Sequence, residues 1–386
     1  MSRRSTRGAR ARWSSVSTEL ATILAGAPPG VLSLAGGFPN PKTFPTTEIA
    51  EIVTRLMRDD PGVALQYTAP EGIPSVREYL RDRQEQLQGR RPELEELMVT
   101  SGGMECIALT CRGVLAPGDT VVVEAPTYLG ALMAFEHAGL AVEGVPMDED
   151  GLRVEVLAER LAAGLRPKLL YVIPDYQNPS GFTLSLERRR ALVELCRRYD
   201  VLIFEDVAYR EISFDGASLP SLWSLGPDVV LQAGTFSKLL SPGVRLGWAA
   251  ARTDVIARLA SAKQLTDQCA GALGQRIVEE YGRAGLFERG VPASRELYAS
   301  HWRALDTALR AHLPSGVTWS EPTGGFFSWM TVPMDTMDLR PAALEAGVMY
   351  VPGSLFGGPP NSLRLSFSLL DEDELETAVV RLSTLF

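Results

Sequence analysis

The sequence predicts an α/β protein in which a three-layer αβα domain, built on a mainly parallel seven-stranded sheet, precedes a smaller α+β domain. Between residues 98 and 250, short apolar runs alternate with helical stretches. Several of these runs are apolar throughout, as is typical of strands that helices cover on both faces. After a helix expected at residues 295–313, the pattern changes to strand signals at 325–332 and 362–368. This change predicts the second domain.

The elements of the predicted large domain follow in order along the chain. A short amphipathic helix is expected at 14–27, one helix at 47–58, and a third at 74–88 because Pro74 can begin it. The seven strands are expected at residues 98–100, 120–124, 140–146, 168–173, 201–206, 229–232 and 247–250. We therefore predict an N-terminal arm and joining segment at 1–45, a large domain at 46–290 and a small domain at 291–386.

Composition and charge exclude several classes of function. The 386 residues are 45% hydrophobic, which is enough for a large core, and the net charge of −9 disfavours binding to nucleic acid or to a membrane surface. We see no secretory or transmembrane run. The first dozen residues carry five arginines and no acid, so we expect a disordered arm rather than a transit peptide.

Cysteine and histidine usage gives further limits. The four cysteines show no metal or redox spacing, and reduced thiols in a cytoplasmic protein are the simplest interpretation. The three histidines are far apart in sequence, which disfavours a zinc site or a Ser-His-Asp triad. We expect no metal.

The chain is organised around the run at residues 234–248, where Lys238 lies among small and apolar neighbours after an apolar strand. Burial lowers the pKa of a lysine amine, which can then form a Schiff base with an aldehyde. The hydroxyls of Thr235 and Ser237 and the guanidinium of Arg245 would suit a phosphate. An aldehyde and a phosphate on one ligand suggest pyridoxal phosphate. By itself, Lys238 is equally well explained as a surface lysine at a strand end.

This run resembles the cofactor-lysine motif of fold-type I pyridoxal-phosphate enzymes, Thr-Phe-Ser-Lys-x-x-x-Pro-Gly-x-Arg-x-Gly-Trp. It is most similar to the class I/II aminotransferases of the kynurenine/α-aminoadipate branch, and the resemblance extends from about Leu32 to Phe367. It implies an aspartate-aminotransferase-like fold with pyridoxal 5'-phosphate as cofactor. It also implies that Lys238 is the Schiff-base residue and the acid/base, and that Thr235, Ser237 and Arg245 hold the phosphate.

A glycine-rich turn at residues 100–105 joins a strand to a helix. Free N–H groups at a helix N-terminus suit a phosphate, although many strand-to-helix turns look the same. The resemblance implies that Gly102, Gly103 and Met104 form the phosphate loop. Where Gly103 and Met104 stand, the family more often has a hydroxyl or small residue and a glutamine or alanine. We expect backbone N–H groups to replace the lost side-chain contact.

Three further site residues follow predicted strands. Alone, Tyr128 is a packing aromatic, Asn178 a turn residue and Asp206 a helix cap. The resemblance implies that Tyr128 stacks on the pyridine face, that Asn178 contacts the ring 3-hydroxyl with Tyr209, and that Asp206 pairs with the protonated ring nitrogen. Tyr128 and Asp206 join Lys238 as the expected catalytic residues.

Two further residues, Glu205 and Arg364, each have an alternative interpretation. Glu205 is a rival to Asp206, and its side chain is expected on the other strand face. Arg364 is by itself a surface arginine on a half-exposed strand, whereas the resemblance makes it the fork that binds the substrate α-carboxylate, with Gly37 and Asn178 beside it.

Tyr67 is by itself an ordinary loop aromatic. In the family, the matching tyrosine enters the neighbouring subunit's site and touches the phosphate. The resemblance therefore implies a homodimer with shared active sites.

The predicted reaction moves an amino group between an α-amino acid and a 2-oxo acid by a ping-pong mechanism. Two alternatives stay open. An enzyme of the same fold and cofactor could catalyse β- or γ-elimination, replacement or oxygen-dependent oxidation, and the unusual pair Gly103 and Met104 motivates this one. A transcriptional regulator that carries this domain as a sensor is disfavoured, because the N-terminal arm is too short for a winged-helix domain.

Overall fold

The computed structural model describes residues 26–386, so the basic arm and most of the helix expected at 14–27 lie outside the described residues. The strands are β1 Leu32–Ser33, β2 Leu97–Thr100, β3 Thr120–Ala125, β4 Ala141–Asp148, β5 Gly151–Leu152, β6 Leu169–Val172, β7 Leu202–Asp206, β8 Val230–Thr235, β9 Gly247–Ala250, β10 Thr318–Trp319, β11 Phe327–Thr331, β12 Val348–Met349, β13 Val351–Pro352 and β14 Ser362–Ser366.

Helices connect most of these strands, as the alternating pattern predicts. They are α1 Thr46–Asp59, α2 Pro61–Ala64, α3 Pro74–Gln88, α4 Gly103–Gly113, α5 Leu129–His137, α6 Val154–Ala162, α7 Leu186–Tyr199, α8 Leu222–Leu225, α9 Thr253–Gln264, α10 Ala272–Arg283, α11 Leu286–His312, α12 Arg340–Glu345 and α13 Glu372–Ser383. None of the helices within residues 26–386 is long and apolar enough to cross a bilayer.

The large sheet confirms the predicted fold class. Its strand order is β2-β9-β8-β7-β6-β3-β4-β5. The strands β8, β7, β6, β3 and β4 are parallel to one another, whereas β9 is antiparallel to both β2 and β8. All seven expected strands are present, and the two-residue strand β5 adds an eighth by folding back on the end of β4.

Side-chain alternation explains the three layers. Leu169 and Tyr171 of β6 belong to one buried apolar cluster, whereas Leu170 joins the cluster on the opposite face of the sheet. Because successive side chains of a strand point to opposite faces, an apolar run of this kind is stable only where helices cover both sides.

A second, antiparallel sheet with the order β10-β11-β14-β13 forms beyond the long helix α11, and β1 pairs with β12 nearby. Helix α11 begins at Leu286 and contains Pro292 in its second turn, so it is longer than the helix expected at 295–313. The predicted boundary after residue 290 therefore lies inside a helix, and the division into domains stays a prediction.

A buried ion triad fixes the segment that follows β6. The carboxylate of Asp175 accepts hydrogen bonds from Arg189 at 2.6 Å and from Arg210 at 3.1 Å, and all three side chains are buried. Burial alone would raise the pKa of the Asp175 carboxyl, but the two guanidinium groups outweigh it and hold this pKa below its ordinary value. The triad thereby ties the chain just before Asn178 to the chain just after Tyr209.

We expect Asp175→Asn to lower the free energy of unfolding by about 3–5 kcal/mol, because it leaves two buried guanidinium groups without a full counter-charge. Urea unfolding followed by circular dichroism measures this change. The matched control is Asp228→Asn, since Asp228 also pairs with an arginine, Arg197, but has a side chain that is 51% exposed. The control should lose about 1 kcal/mol or less. Equal losses in the two variants would contradict the interpretation.

Candidate active site

The predicted site residues converge because of the direction of the strands. Strands β3, β6, β7 and β8 are parallel, and β2 runs in the same direction as β8 because each is antiparallel to β9. Their carboxyl ends therefore meet at one edge of the sheet, where ligands bind in open α/β folds. A cavity of about 350 Å³ lies there.

Twelve of the fourteen predicted site residues line this cavity. They are Gly37, Gly103, Met104, Tyr128, Asn178, Asp206, Tyr209, Thr235, Ser237, Lys238, Arg245 and Arg364. Gly102 and Tyr67 do not line it.

Lys238 lies in the turn after β8, and its amine is taken out of bulk water. Its Nζ donates a hydrogen bond to the carbonyl oxygen of Gly37 at 2.9 Å. Burial, followed by the positive charge of Arg364, lowers the pKa of Lys238 to about 8, although the carboxylate of Asp206 acts in the opposite direction. The amine therefore loses its proton at a much lower pH than the amine of a surface lysine does. In the neutral form it can act as a nucleophile or a base.

Asp206 ends β7 and faces the cavity. Its Oδ2 accepts a hydrogen bond from the phenol of Tyr171 at 2.8 Å, and its Oδ1 accepts one from the backbone N–H of Ala208 at 3.2 Å. Burial raises the pKa of the Asp206 carboxyl in spite of these donors. The neighbouring Glu205 points away, as expected, because its two oxygens accept from the first two backbone N–H groups of α8 at 2.7 and 2.9 Å.

The sequence interpretation missed Tyr171. Tyr171 pairs with Phe204 across β6 and β7, so it shares a face with Asp206 two residues further on. The alternation of side chains along β6 could have predicted which face of the sheet Tyr171 occupies. It could not have predicted that β7 lies next to β6, because strand order is a property of the whole sheet.

Arg364 is buried in the small sheet rather than exposed on its surface. Its Nη1 donates to Oδ1 of Asn178 at 2.8 Å, and its Nη2 donates to the carbonyl oxygen of Ala35. The rings of Phe327 and Phe356 lie 4.3 and 4.8 Å from the guanidinium carbon. Burial lowers the pKa of Arg364 to about 10, and its buried Nε has no hydrogen-bond partner among the described residues. Motif comparison pointed to neither aromatic ring.

The N-terminus of α4 and the turn after β8 form the cationic end of the cavity. Gly102 has φ +106°, a conformation that glycine adopts without strain, and a Cβ there would lie 3.1 Å from Nη2 of Arg245. That nitrogen donates to the carbonyl oxygen of Ser101 at 3.1 Å. The hydroxyls of Thr235 and Ser237 are 3.0 Å apart. Gly102 thus shapes the loop without lining the cavity.

Tyr67 is the predicted site residue that the fold leaves outside. It lies in the loop after α2 and is 78% exposed. Within residues 26–386, no group of three or more histidine, cysteine, aspartate or glutamate side chains could hold a metal ion.

Comparison with known proteins agrees with this geometry. The family model described as aminotransferase class I and II matches residues 32–382. The aromatic-amino-acid aminotransferase 1 of Thermococcus litoralis is 36% identical over 92% of this chain and 87% of its own length. The 2-aminoadipate transaminase of Thermus thermophilus is 38% identical over 92% of this chain and 89% of its own length.

A solved structure extends the likeness to three dimensions. The crystal structure of the α-aminoadipate aminotransferase of Thermus thermophilus, complexed with N-(5'-phosphopyridoxyl)-L-leucine, superposes with a TM-score of 0.88 at 35% identity, over 94% of each chain. With the family match over nearly the whole described chain, this shows that the protein belongs to the class I and II aminotransferases and is a pyridoxal-phosphate-dependent enzyme that moves an amino group between an amino acid and an oxo acid.

Proposed function

We propose that the cavity carries out the amino transfer and that Lys238 moves the α-proton of the substrate. The observation that supports this proposal is the meeting of three groups on one cavity: the amine of Lys238, the carboxylate of Asp206 and the guanidinium of Arg364. The amine, with its lowered pKa, suits a ligand with an acidic carbon. The carboxylate suits a cationic ring on that ligand, and the buried guanidinium suits a carboxylate.

The donors around the cavity fit pyridoxal phosphate. The hydroxyls of Thr235 and Ser237, the guanidinium of Arg245 and the free N–H groups at the start of α4 form a donor set for a phosphate. Asp206 accepts hydrogen bonds from a phenol and a backbone N–H, both neutral, so a cationic ring nitrogen would supply the missing counter-charge. Lys238 supplies the amine that binds the aldehyde.

Four further residues complete the proposed site. Tyr128 would stack on the ring, and Gly103 and Met104 would offer their backbone N–H groups to the phosphate. Asn178 accepts from Arg364 through its Oδ1 and donates to the hydroxyl of Tyr209, so one of its two amide N–H bonds would remain to donate to the ring hydroxyl.

The mechanism follows from these positions. When bound, the cofactor supplies an aldehyde that takes up the amino group and a ring that withdraws electrons from the substrate Cα. Lys238, with a pKa near 8, removes the proton from Cα and returns it later in the reaction. Arg364 holds the substrate carboxylate, because its fork-shaped guanidinium binds both oxygens. The amino group stays on the enzyme until an oxo acid arrives, which gives ping-pong kinetics.

We also propose that the amino acid carries a large apolar or aromatic side chain. Beside Arg364, the cavity is lined by Phe38, Leu129 and Phe356, which surround that position with apolar carbon. Burial of an apolar side chain against such a wall is favourable, whereas a second carboxylate there would lose its hydration.

Exposed apolar residues near Tyr67 support a homodimer with shared sites. Leu65 is 67% exposed and Leu265 is 89% exposed. The segments that carry them meet, because the backbone N–H of Thr68 donates to Sγ of Cys269 at 3.5 Å. An apolar surface of this kind is typical of a subunit interface. We propose that Tyr67 crosses this interface and contacts the phosphate in the partner subunit's site.

A cytoplasmic location is a further proposal, and cysteine chemistry supports it. The four cysteines are free thiols, and two of them are buried. Reducing compartments keep thiols in this state.

We expect the wild-type enzyme to transfer amino groups from phenylalanine or leucine to 2-oxoglutarate faster than from 2-aminoadipate, without releasing ammonia.

Lys238→Ala should still bind the cofactor but form no covalent bond with it, and its turnover should fall by about 10²–10⁴-fold or more. Borohydride reduction followed by mass spectrometry measures the bond, and product formation measures turnover.

Lys168→Ala is the matched control, since Lys168 is an exposed lysine at the start of a strand of the same sheet, and it should keep both properties. A reduced covalent adduct at the wild-type level in Lys238→Ala would contradict the assignment. Ammonia release or oxygen uptake without an oxo acid would contradict the proposed reaction.

The pH dependence of cofactor capture should report the lowered pKa of Lys238. Only the neutral amine attacks an aldehyde, so the rate of covalent capture by cofactor-free enzyme should rise with pH and level off above about 8, rather than near the ordinary value of 10.5. Stopped-flow absorbance measures this rate. In Arg364→Met the midpoint should move upward, because a positive charge that disfavours the ammonium is removed. A midpoint that stays in place or moves downward would refute this account.

Heterodimers test the role of Tyr67. Tyr67→Ala and Lys238→Ala subunits, mixed and refolded together, should form heterodimers in which one site has both Lys238 and the partner subunit's Tyr67. That site should bind the cofactor as wild type does, although Tyr67→Ala homodimers bind it about 10-fold to 100-fold more weakly because a hydrogen bond to a charged group is lost. Equilibrium dialysis of differently tagged, purified heterodimers measures the affinity. If Tyr67 acts within its own chain, the heterodimer will show only weak binding.

A further inference from the structure

A buried ion cluster lies behind the proposed phosphate loop. Lys263, near the end of α9, is fully buried. Its Nζ lies 2.8 Å from both carboxylate oxygens of Glu105 and 2.8 and 2.9 Å from those of Asp267. We call these three residues the Lys263 cluster. None of them lines the cavity, and the proposed reaction does not use them.

The Lys263 cluster holds the loop through Ser101. The carboxylate of Glu105 accepts a hydrogen bond from the backbone N–H of Ser101, and the carboxylate of Asp267 accepts one from its hydroxyl at 2.9 Å. The carbonyl oxygen of Ser101 accepts from Arg245, the cation that faces the cavity. Each hydrogen-bonding group of Ser101 therefore has a partner that is either a member of the cluster or part of the proposed phosphate site.

The ammonium of Lys263 offsets the negative charges of Glu105 and Asp267. Glu105 lies in the first turn of α4, close in sequence to Gly103 and Met104, which line the cavity. Burial and the hydrogen bond with Asp267 raise the pKa of the Glu105 carboxyl, whereas burial of Asp267 is outweighed by its hydrogen bonds with Glu105, Lys263 and Ser101, which lower the pKa of its carboxyl. Without the ammonium, two carboxylates would stand behind a loop that binds a dianion.

We propose that Lys263 is a positioning residue for the cofactor phosphate. Its ammonium neutralises one of the two carboxylates, so that both can hold Ser101 and the start of α4 in place without repelling the phosphate. This inference rests on the proposed role of residues 102–104 as the phosphate loop.

Other ionisable side chains lie on the elements that pack against the cluster. Arg112, on α4, donates to the hydroxyl of Thr266 at 2.8 Å, and Arg245 donates to the carbonyl oxygen of Ser101 at 3.1 Å. Burial raises the pKa of the Cys106 thiol, which is therefore neutral. Glu96, on the turn that packs against the start of α9, is paired with Arg90.

Asp206, at the end of β7, adds a charge that the wild type and every variant below share. A pH-dependent difference between the wild type and a Lys263 variant therefore reflects the repulsion between the two carboxylates of the cluster and the phosphate, which weakens when either partner is protonated.

The test measures the affinity of cofactor-free enzyme for pyridoxal phosphate by equilibrium dialysis. At about pH 8, Lys263→Met should bind at least about tenfold more weakly than wild type. Removal of the ammonium raises the pKa of Glu105 and Asp267, so both become protonated as the pH falls. The difference between variant and wild type should shrink towards about pH 6, where the repulsion is lost. Protonation of the phosphate as the pH falls would also weaken this repulsion, so the variants below, and not the pH profile alone, assign the effect to the carboxylates.

Two matched variants separate charge from packing. Lys263→Met combined with Asp267→Asn restores the wild-type net charge of the cluster and should recover most of the affinity at about pH 8. Asp267→Asn alone removes a negative charge and should bind at least as tightly as wild type, which keeps the test open if Lys263→Met does not fold. Lys168→Met, at an exposed lysine, should change nothing.

The outcomes are distinct. The proposal would be overturned if Lys263→Met kept the wild-type affinity at about pH 8. It would also be overturned if the affinity fell equally at every pH and the added Asp267→Asn substitution did not restore it. Either result would leave the proposed function standing. Weaker binding by Asp267→Asn alone would also overturn it. Wild-type enzyme that fails to bind pyridoxal phosphate would overturn the cofactor site and this inference together.

Discussion

A lysine amine that shares a buried cavity with a guanidinium group is the constraint on which the site depends. Burial and the charge of Arg364 bring the pKa of Lys238 down to about 8, and Asp206 limits this effect. An amine with the ordinary pKa of 10.5 would be protonated near neutral pH and would be a poor base. The cavity therefore has to hold Arg364 close to the amine while the same guanidinium remains available to a carboxylate. The two sheets meet this requirement together, because Lys238 follows a strand of one and Arg364 lies in the other.

The position of Arg364 joins the small sheet, the N-terminal segment and the large sheet. Its guanidinium bonds to Ala35, beside β1, and to Asn178, in the turn after β6, while the rings of Phe327 and Phe356 lie against it. An isolated cation in such surroundings is unfavourable, and its lowered pKa reflects this cost. A bound carboxylate would supply the missing counter-charge, so the energy of burying Arg364 favours substrate binding.

Buried charges with hydrogen-bonded partners recur around the cavity, and each fixes a neighbouring segment of the chain. Asp175 with its two arginines fixes the turn before Asn178, Glu205 caps α8 below β7, and Lys263 with its two acids fixes Ser101. Buried ion pairs add little to net stability, because desolvation offsets their attraction. Their value here is positional, since removal of one partner leaves an uncompensated charge next to a loop that must keep its shape.

The sequence by itself determined the strands and the layers and predicted the residues that we propose to bear the chemistry, because these depend on local periodicity and on motifs whose members are close together in the chain. Only the tertiary structure decided which strands are neighbours. Strand order placed Tyr171 against Asp206, and the packing of the small sheet placed Arg364 against Phe327 and Phe356. The contact of α9 with α4 likewise formed the Lys263 cluster from residues 158 positions apart. The repeat of two residues in a strand or 3.6 in a helix predicts which face a side chain occupies. The residue that it contacts on that face depends on the packing of the whole chain.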